Sequence, residues 1–389
     1  MNGQALQDIM KKAVSEGEIA GMNLLLLRDG EELFYAQEGW ADREAAVPIG
    51  RDSIFRLYSM TKPVTAAAAM LLMERGQLDL GSPVSEYLPA FANQMVSGVK
   101  TPVPVSPLRP MVVKDLLDMT SGLVYGGTAS AAEMAAEAVF EELKSRLYTE
   151  QPMTTREVAD ALAGCPLAYQ PGSSWQYGSS ADVLGAVIEE AAGMKFGDFL
   201  RQEFFGPLEM QDTDFYVPQE KRGRLVKTYQ QEPDGTLSVF MGNHLGIMNR
   251  MDIPNAFESG GAGLVSTVDD YSHFAQMLLN GGEYRGRRIL RGRTVEFMTF
   301  GRLLPCQQDG FDWLSLTGMT YGNLMRRVME KGQVQGLSSL GEYGWDGWLG
   351  CYFANCPQDR LTILMMMQKK DSGTFSLTRK LRNRIFAEL

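Results

Sequence analysis

The sequence predicts a mixed α/β (α+β) fold, with an antiparallel sheet flanked by helices and interrupted by a helical insertion. Three observations support this prediction: strand patterns lie near the start of the chain, strand patterns recur near its end, and the middle is mostly helical. Short turns at both ends suit antiparallel pairing. The predicted units are a discontinuous α/β domain, residues 1–80 plus 255–389, and a mostly helical domain, residues 81–254.

The first eighty residues predict a helix, a hairpin and a second helix. Residues 4–16 carry apolar side chains at helical spacing. Two strand patterns then flank Asp29-Gly30, a step that suits a tight turn with positive φ. A strong helix is predicted from Met60 to Arg75 because the segment is rich in alanine, leucine and methionine. Gly76 is typical of the position just after a helix.

The remaining segments are predicted from turn residues, caps and periodicity. Four prolines between residues 91 and 110 indicate a long loop. Thr267, followed by two aspartates, has the spacing of a helix cap. The other predictions are mostly helical structure over 111–205, a glycine-rich strand at Gly260–Thr267, a helix at Tyr271–Leu279, paired strands LGCYFANC and LTILMMMQ, and a closing helix at Ser376–Ala387.

Composition excludes several classes of protein. The 47 acidic residues outnumber the 37 basic ones, for a net charge of −10, so no basic surface for nucleic acid is predicted. No apolar run reaches the length of a membrane span. The first residues lack the apolar block and small-residue cleavage site of a secretory signal. We therefore expect a cytoplasmic protein that binds neither nucleic acid nor membrane.

Cysteines and histidines are too few and too scattered for the common metal and hydrolase motifs. The four cysteines form no CxxC pair, so reduced and mostly buried thiols are expected. The two histidines lie outside any HExxH motif, and no GxSxG elbow occurs. These absences disfavour a zinc site and exclude the commonest esterase architecture. For the reaction predicted below we expect no metal ion and no organic cofactor.

Ser59-x-x-Lys62 stands at the head of the predicted long helix. A spacing of three places both side chains on one helical face, so hydroxyl and amine can meet. The helix N-terminus favours an alkoxide and disfavours a second cation, which would help the lysine lose its proton and activate the serine. The residues alone leave two interpretations open, a nucleophile with its base or an ordinary polar helix start. Ser97-x-x-Lys100 has the same spacing in the proline-rich loop, where nothing fixes its geometry.

Five sequence blocks resemble the class C β-lactamase family, in the same order and over nearly the whole chain. That broad family also contains family VIII carboxylesterases, DD-peptidases and D-amino-acid amidases. The last two blocks are most similar to its esterase-like branch. The blocks span residues 59–89, 116–123, 171–193, 260–290 and 343–368. The resemblance implies a β-lactamase/transpeptidase-like fold with a catalytic serine.

The resemblance implies catalytic roles for three residues. Ser59 and Lys62 match the family's SxxK element. Tyr177-Gly178-Ser179 matches the Tyr-x-Asn element, whose tyrosine relays a proton or acts as general base. Ser179 departs from the usual asparagine, which commonly binds the amide side chain of β-lactams. A rival Tyr-Gly-Asn at 321–323 fits the letters better, but it lies close to the third element, so we interpret it as a strand or turn.

The third element is Lys-Thr-Gly in β-lactamases and Trp-Gly-Gly in many of the esterases. Trp345-Asp346-Gly347 matches it here. In the family, the backbone N–H groups of the serine and of the residue after this glycine form the oxyanion hole, which implies Ser59 and Trp348. His244 begins a His-x-Gly sequence that is out of order, so we interpret it as an ordinary loop residue.

These observations predict a carboxylesterase that forms an acyl-enzyme on Ser59 and acts on a small-molecule ester. The alternatives are a β-lactamase, DD-peptidase or D-amino-acid amidase with the same catalytic residues, or a non-enzymatic sensor that is acylated without turnover. If the Asp346 side chain points into the pocket, it should repel the carboxylate of penicillins and cephalosporins. Predicted substrate-binding residues are Trp345, Asp346, Gly347, Ser179 and Tyr125. Trp175 and Trp313 are interpreted as core aromatics, and the oligomeric state stays open.

Overall fold

The computed structural model describes residues 3–98, 101–308 and 310–389, except the side chains of residues 101 and 102. Lys100, of the second Ser-x-x-Lys pair, therefore lies outside the described residues. The helices are α1 (Gly3–Ser15), α2 (Thr61–Glu74), α3 (Val113–Leu117), α4 (Ala131–Arg146), α5 (Thr155–Ala163), α6 (Ser180–Ala192), α7 (Phe196–Leu200), α8 (Val268–Leu279), α9 (Gly292–Thr299), α10 (Pro305–Gln308) and α11 (Ser376–Phe386).

The strands fall into one large sheet and four small pairs. They are β1 (Gly21–Arg28), β2 (Glu31–Asp42), β3 (Val47–Pro48), β4 (Phe55–Arg56), β5 (Val96–Gly98), β6 (Thr101–Val105), β7 (Tyr229–Gln231), β8 (Leu237–Val239), β9 (Val265–Ser266), β10 (Glu283–Tyr284), β11 (Arg287–Arg288), β12 (Met319–Gly322), β13 (Met325–Val328), β14 (Tyr343–Asp346), β15 (Tyr352–Cys356) and β16 (Leu361–Met367).

The large sheet joins the two ends of the chain. Its eight strands run in the order β12-β13-β14-β15-β16-β1-β2-β3, and every pair is antiparallel. The junction is the pairing of β1 with β16, in which Leu25 lies opposite Leu364. The predicted antiparallel sheet with flanking helices is thus confirmed. The domain boundaries at residues 80 and 254 stay a prediction.

Helices cover both faces of this sheet, which explains why β1 is buried from Gly21 to Leu27. Successive strand residues face opposite sides. Leu24 and Leu26 pack in one apolar cluster with side chains of α1 and α11, such as Leu381. Leu25 packs on the other face, in the large cluster that contains α2, α6 and α8. The eight-strand sheet therefore separates a thin helical layer from the main core.

Local patterns predicted most elements, and two predictions were wrong. Within the proline-rich segment, β5 and β6 form a short antiparallel pair. Only Val265–Ser266 of the predicted glycine-rich strand is extended, whereas Gly260–Gly263 forms a turn. A Cβ on Gly260 would lie 2.3 Å from the Ala181 carbonyl oxygen, so the glycine there permits close packing on α6. The rival Tyr-Gly-Asn sequence is confirmed as a strand end and turn between β12 and β13.

The described residues contain no helix that has both the length and the apolar character to cross a bilayer. Cys165, Cys351 and Cys356 are buried, and Cys306 is exposed. All four are free thiols, as the absence of paired spacing predicted.

Candidate active site

Ser59 lies in a sharp turn between β4 and α2. Tyr58 has a φ of 45°, a left-handed conformation that is uncommon for a bulky residue, and a single 3-10 turn, Tyr58–Met60, leads into α2. Tyr58 and Met60 are buried, whereas Ser59 is partly exposed. The turn thereby presents the serine hydroxyl at the N-terminal end of a buried helix, where positive potential favours a developing anion.

Lys62 is fully buried beneath this hydroxyl. Its Nζ lies 3.2 Å from Ser59 Oγ, 3.3 Å from the Tyr125 hydroxyl and 2.8 Å from the Gly261 carbonyl oxygen. Burial lowers the pKa of Lys62 to about 7, and the carboxylates of Asp182 and Asp346 oppose this effect. The amine can therefore be neutral near physiological pH and accept a proton from Ser59.

The ring of Tyr177 also lies close to the Lys62 amine. Its ring centroid is 4.6 Å from Lys62 Nζ, and its hydroxyl accepts a hydrogen bond from Trp345 Nε1 at 2.9 Å. Burial raises the pKa of Tyr177 above its ordinary value, although polar contacts from Ser59 and Trp345 oppose the rise. The tyrosine is accordingly protonated where the lysine is not, which suits a proton donor or relay better than a primary base.

Gly347 and Trp348 follow β14 next to the Ser59 turn. A Cβ on Gly347 would lie 2.3 Å from the Leu57 carbonyl oxygen, so only glycine allows this approach. Within the described part of the chain, neither the Ser59 N–H nor the Trp348 N–H donates a hydrogen bond. Two backbone donors beside one hydroxyl are the arrangement that an oxyanion hole needs.

Two of the predicted substrate-binding residues, Tyr125 and Ser179, have different surroundings in the structure. Tyr125 is half-buried and packs edge-on against Tyr177, with 5.9 Å between ring centroids, so it belongs to the cluster around Lys62. Ser179 is fully buried, and its hydroxyl donates to the Val124 carbonyl oxygen at 3.2 Å. In this position Ser179 supports the segment that carries Tyr125 and does not offer its hydroxyl to a substrate.

Asp346 points away from its neighbour Trp345 because successive strand residues face opposite sides. Trp345 reaches Tyr177, while Asp346 lies opposite Tyr352, which packs in the cluster of α1 and α11. The Asp346 carboxylate accepts a hydrogen bond from Thr374 Oγ1 at 2.6 Å and lies 3.7 Å from an Arg326 guanidinium nitrogen. Its charge is thus engaged within the protein, and the condition for repelling a substrate carboxylate is not met.

Two residues that the sequence analysis did not assign to the site contact it in the structure. His244 lies in a loop, as predicted, but its ring stacks on Trp348 with 4.1 Å between ring centroids and also approaches Tyr58. Trp313 is 44% exposed and packs edge-on against Tyr177, whereas Trp175 is buried as predicted. Neither position carries a local signal, because each depends on a long-range contact.

A cavity of about 650 Å³ is lined in part by Tyr177. Trp175, Trp313 and Cys306 are among its lining residues. A cavity of this size beside Tyr177 is large enough to hold part of a small-molecule ligand.

Comparison with known proteins identifies the family to which this site belongs. The Beta-lactamase family profile matches residues 6–387, and the chain belongs to this family. Protein Rv1367c of Mycobacterium tuberculosis (strain ATCC 25618 / H37Rv) is 30% identical over 382 residues, which cover 95% of this chain and 90% of the relative. Esterase EstB of Burkholderia gladioli is 33% identical over 276 residues, which cover 68% of this chain and 67% of the relative.

A solved structure shares the fold across the whole chain. EstCE1, described as a hydrolase with promiscuous acyltransferase activity, matches with a TM-score of 0.83 at 24% sequence identity, and the match covers 98% of both chains. The predicted β-lactamase-like fold is therefore confirmed.

Proposed function

We propose that this protein is a carboxylesterase of the β-lactamase-like serine hydrolases, acting in the manner of the family VIII carboxylesterases. The observation that carries the proposal is the 3.2 Å contact between Ser59 Oγ and the buried Lys62 amine, together with the pKa of about 7 that burial gives this amine. A neutral amine at that distance can act as general base for the serine. The named activity of Esterase EstB supports the same reaction class.

The proposed reaction proceeds through an acyl-enzyme. Ser59 Oγ transfers its proton to Lys62 Nζ and attacks the ester carbonyl carbon. The N–H groups of Ser59 and Trp348 stabilise the oxyanion that forms. The bond to the alcohol oxygen then breaks, and the proton passes to the leaving alkoxide through the Tyr177 hydroxyl. Water, activated by the same pair, hydrolyses the acyl-enzyme and restores Ser59.

Lys62 is the better candidate for the primary base, and Tyr177 for the relay. Loss of hydration acts in opposite directions on the two groups, because it disfavours the charged form of each. It lowers the pKa of Lys62 to about 7 and raises the pKa of Tyr177. Only the lysine is therefore unprotonated in a useful fraction of molecules at neutral pH.

The reaction class is tested with a panel on one preparation: short-chain nitrophenyl esters, D-amino-acid amides and a chromogenic cephalosporin. We expect rapid turnover of neutral esters and little or no turnover of the cephalosporin. Ser59→Ala should abolish ester hydrolysis, and unchanged activity in that variant contradicts the assignment. Preference for the amide or the cephalosporin favours an alternative hydrolase. Stoichiometric labelling of Ser59 without product release favours an acylated sensor. A small-molecule ester and a cytoplasmic location are proposed along with the activity.

A further inference from the structure

A buried carboxylate lies two residues into α6, close to the Lys62 amine. Asp182 is 4% exposed, and its Oδ1 accepts hydrogen bonds from Ser259 Oγ at 2.5 Å and from the Gly261 N–H at 3.1 Å. Asp182 lies in the sequence block 171–193 but in none of the three catalytic elements assigned above. Burying a carboxylate costs free energy unless hydrogen bonds or charges compensate it. The two hydrogen bonds to Asp182 supply part of that compensation.

Those hydrogen bonds fix the turn that touches Lys62. Gly261 donates its N–H to Asp182 and accepts, through its carbonyl oxygen, the shortest polar contact of Lys62 Nζ, 2.8 Å. The backbone of one residue, Gly261, thus connects carboxylate and amine. Ser259, the second donor to Asp182, also accepts the Ala262 N–H at 2.9 Å, so the turn is closed on itself.

The turn packs against α6 without room for side chains. A Cβ on Gly261 would lie 2.8 Å from an Asp182 carboxylate oxygen, and one on Gly260 would lie 2.3 Å from the Ala181 carbonyl oxygen. On its other side the turn is bonded to α2, because Thr65 Oγ1 donates to the Gly260 carbonyl oxygen at 2.7 Å. The turn is therefore held between the helix of the nucleophile and the helix of Asp182.

We propose that Asp182 is a positioning residue for Lys62, which holds the Gly261 carbonyl against the amine and whose negative charge sets the pH range in which the amine is neutral. This inference rests on the proposed function of Lys62 as base. A neutral amine has two N–H donors and one lone pair. A carbonyl oxygen only accepts hydrogen bonds, so the Gly261 carbonyl engages one N–H of the Lys62 amine. The Tyr125 hydroxyl, at 3.3 Å, is a partner for the second N–H. The lone pair is then directed at Ser59.

The charge effect has a definite sign. Asp182 on α6 and Asp346 on β14 are the carboxylates that raise the pKa of Lys62 against the effect of burial. The other titratable groups that contact the amine are Tyr125 and Tyr177, and burial raises the pKa of both phenols, so they are neutral in this range. Removing the Asp182 charge should lower the pKa of Lys62, so that activity extends to lower pH.

Two substitutions of Asp182 separate its role in holding the Gly261 turn from the effect of its negative charge. Asp182→Asn keeps an acceptor for Gly261 but removes the charge. We expect the acid limb of kcat/KM to move down by about one pH unit or more, the usual effect of removing a nearby opposite charge, with the plateau preserved within about threefold. Asp182→Ala also removes the acceptor, and its plateau should fall by about ten- to hundredfold because the amine is misplaced.

The matched control is Asp115→Asn, at a carboxylate of similar burial on α3 that is bonded to Arg109 and not to the Gly261 turn. It should leave the acid limb unmoved. If the Asp182 variants do not fold, Ser259→Ala tests the same contact, since it removes one donor, keeps the charge and should lower the plateau. The acid limb of the kcat/KM profile should stay in place in Ser259→Ala.

A readout that needs no substrate separates this proposal from the proposed function. NMR of lysines labelled at Cε, with the Lys62 signal assigned by its loss in Lys62→Arg, follows the titration directly. A lower pKa in Asp182→Asn supports the proposal even if no ester is hydrolysed. An unmoved titration in Asp182→Asn, an equal shift in Asp115→Asn, or a wild-type plateau in Asp182→Ala overturns it.

Discussion

Two groups of aromatic side chains surround the Ser59 turn, and they differ in the contacts that their polar atoms make. The Tyr177 wall consists of Tyr125, Tyr177 and Trp345, and its polar atoms bond to one another or to Lys62. The Trp348 wall consists of Tyr58, His244 and Trp348, whose rings contact each other.

In the Trp348 wall the indole hydrogen bond of Trp348 leads to Asp371 and not to the nucleophile. The indole Nε1 of Trp348 donates to Asp371 at 2.7 Å, so the donor left for a substrate is the backbone N–H. Under the proposed mechanism the two walls have different roles: the Tyr177 wall moves protons through side chains, and the Trp348 wall stabilises charge through the main chain. Side-chain chemistry should matter on the first, and backbone position on the second.

The largest expected effect comes from Lys62, at the centre of the Tyr177 wall. Arginine stays charged at any ordinary pH, so Lys62→Arg should lose at least about two orders of magnitude in kcat/KM, the usual contribution of a general base. In the wild type the amine is protonated below its pKa of about 7 and cannot accept the serine proton. The rate should therefore rise with pH through about 7, measured as a pH profile of kcat/KM. A near-native rate in Lys62→Arg would mean that the lysine only positions Ser59.

A slightly smaller effect is expected from Gly347, which allows the backbone N–H of Trp348 to lie beside the Ser59 turn. Gly347→Ala places a Cβ against the Leu57 carbonyl oxygen and must displace the Trp348 N–H. Loss of one oxyanion donor costs about 100-fold in kcat, with KM much less affected. Gly332→Ala is the matched control, because nothing lies within 4 Å of a Cβ at that position. Equal kcat in the two variants would remove Trp348 from the oxyanion hole.

Local patterns predicted those elements whose sequence carries its own periodicity or punctuation. The Asp29-Gly30 hairpin formed as expected, with both residues at positive φ. The helix of Ser59 ends before Gly76, also as predicted. The four-residue strands β13 and β14 carry no such signal, since they contain arginine or glycine and owe their place to pairing. Their positions were therefore visible only in the folded chain.

The candidate site was predictable where residues are close in sequence, and otherwise only by resemblance. The meeting of Ser59 with Lys62 follows from a spacing of three. Tyr177 and Trp345 were named through family blocks, since 168 residues separate the partners of their hydrogen bond. Asp182 was missed because one acidic residue inside a helix looks like a solvated position. The direction of Asp346 depends on strand register, which one sequence does not specify.

A moderate effect is expected from the hydrogen bond between Trp345 and Tyr177. Trp345→Phe keeps an aromatic ring in the buried position but removes the Nε1 donor that lies 2.9 Å from the phenol oxygen. A hydrogen bond of this kind contributes about 1 kcal/mol, so kcat should fall by about fivefold. Trp313→Phe, which changes a ring packed on Tyr177 without a hydrogen bond to it, should alter kcat less. A larger loss in the control would show that packing, not hydrogen bonding, orients Tyr177.

The smallest effect is expected at Asp346, whose side chain leaves the Tyr177 wall on the opposite face of β14. Thr374 and Arg326 engage its carboxylate. Removal of its charge also lowers the pKa of Lys62, but that change acts on every substrate alike. The ratio of kcat/KM for a short nitrophenyl ester to that for a chromogenic cephalosporin isolates any effect on the substrate carboxylate. In Asp346→Asn this ratio should stay within about threefold of the wild type, because a charge already paired and turned away gives little net repulsion. A selective cephalosporin gain of about tenfold, worth roughly 1.4 kcal/mol, would mean that the carboxylate does face the substrate. Poor cephalosporin turnover would then come from repulsion by Asp346, rather than from the absence of the lysine and threonine of the third element.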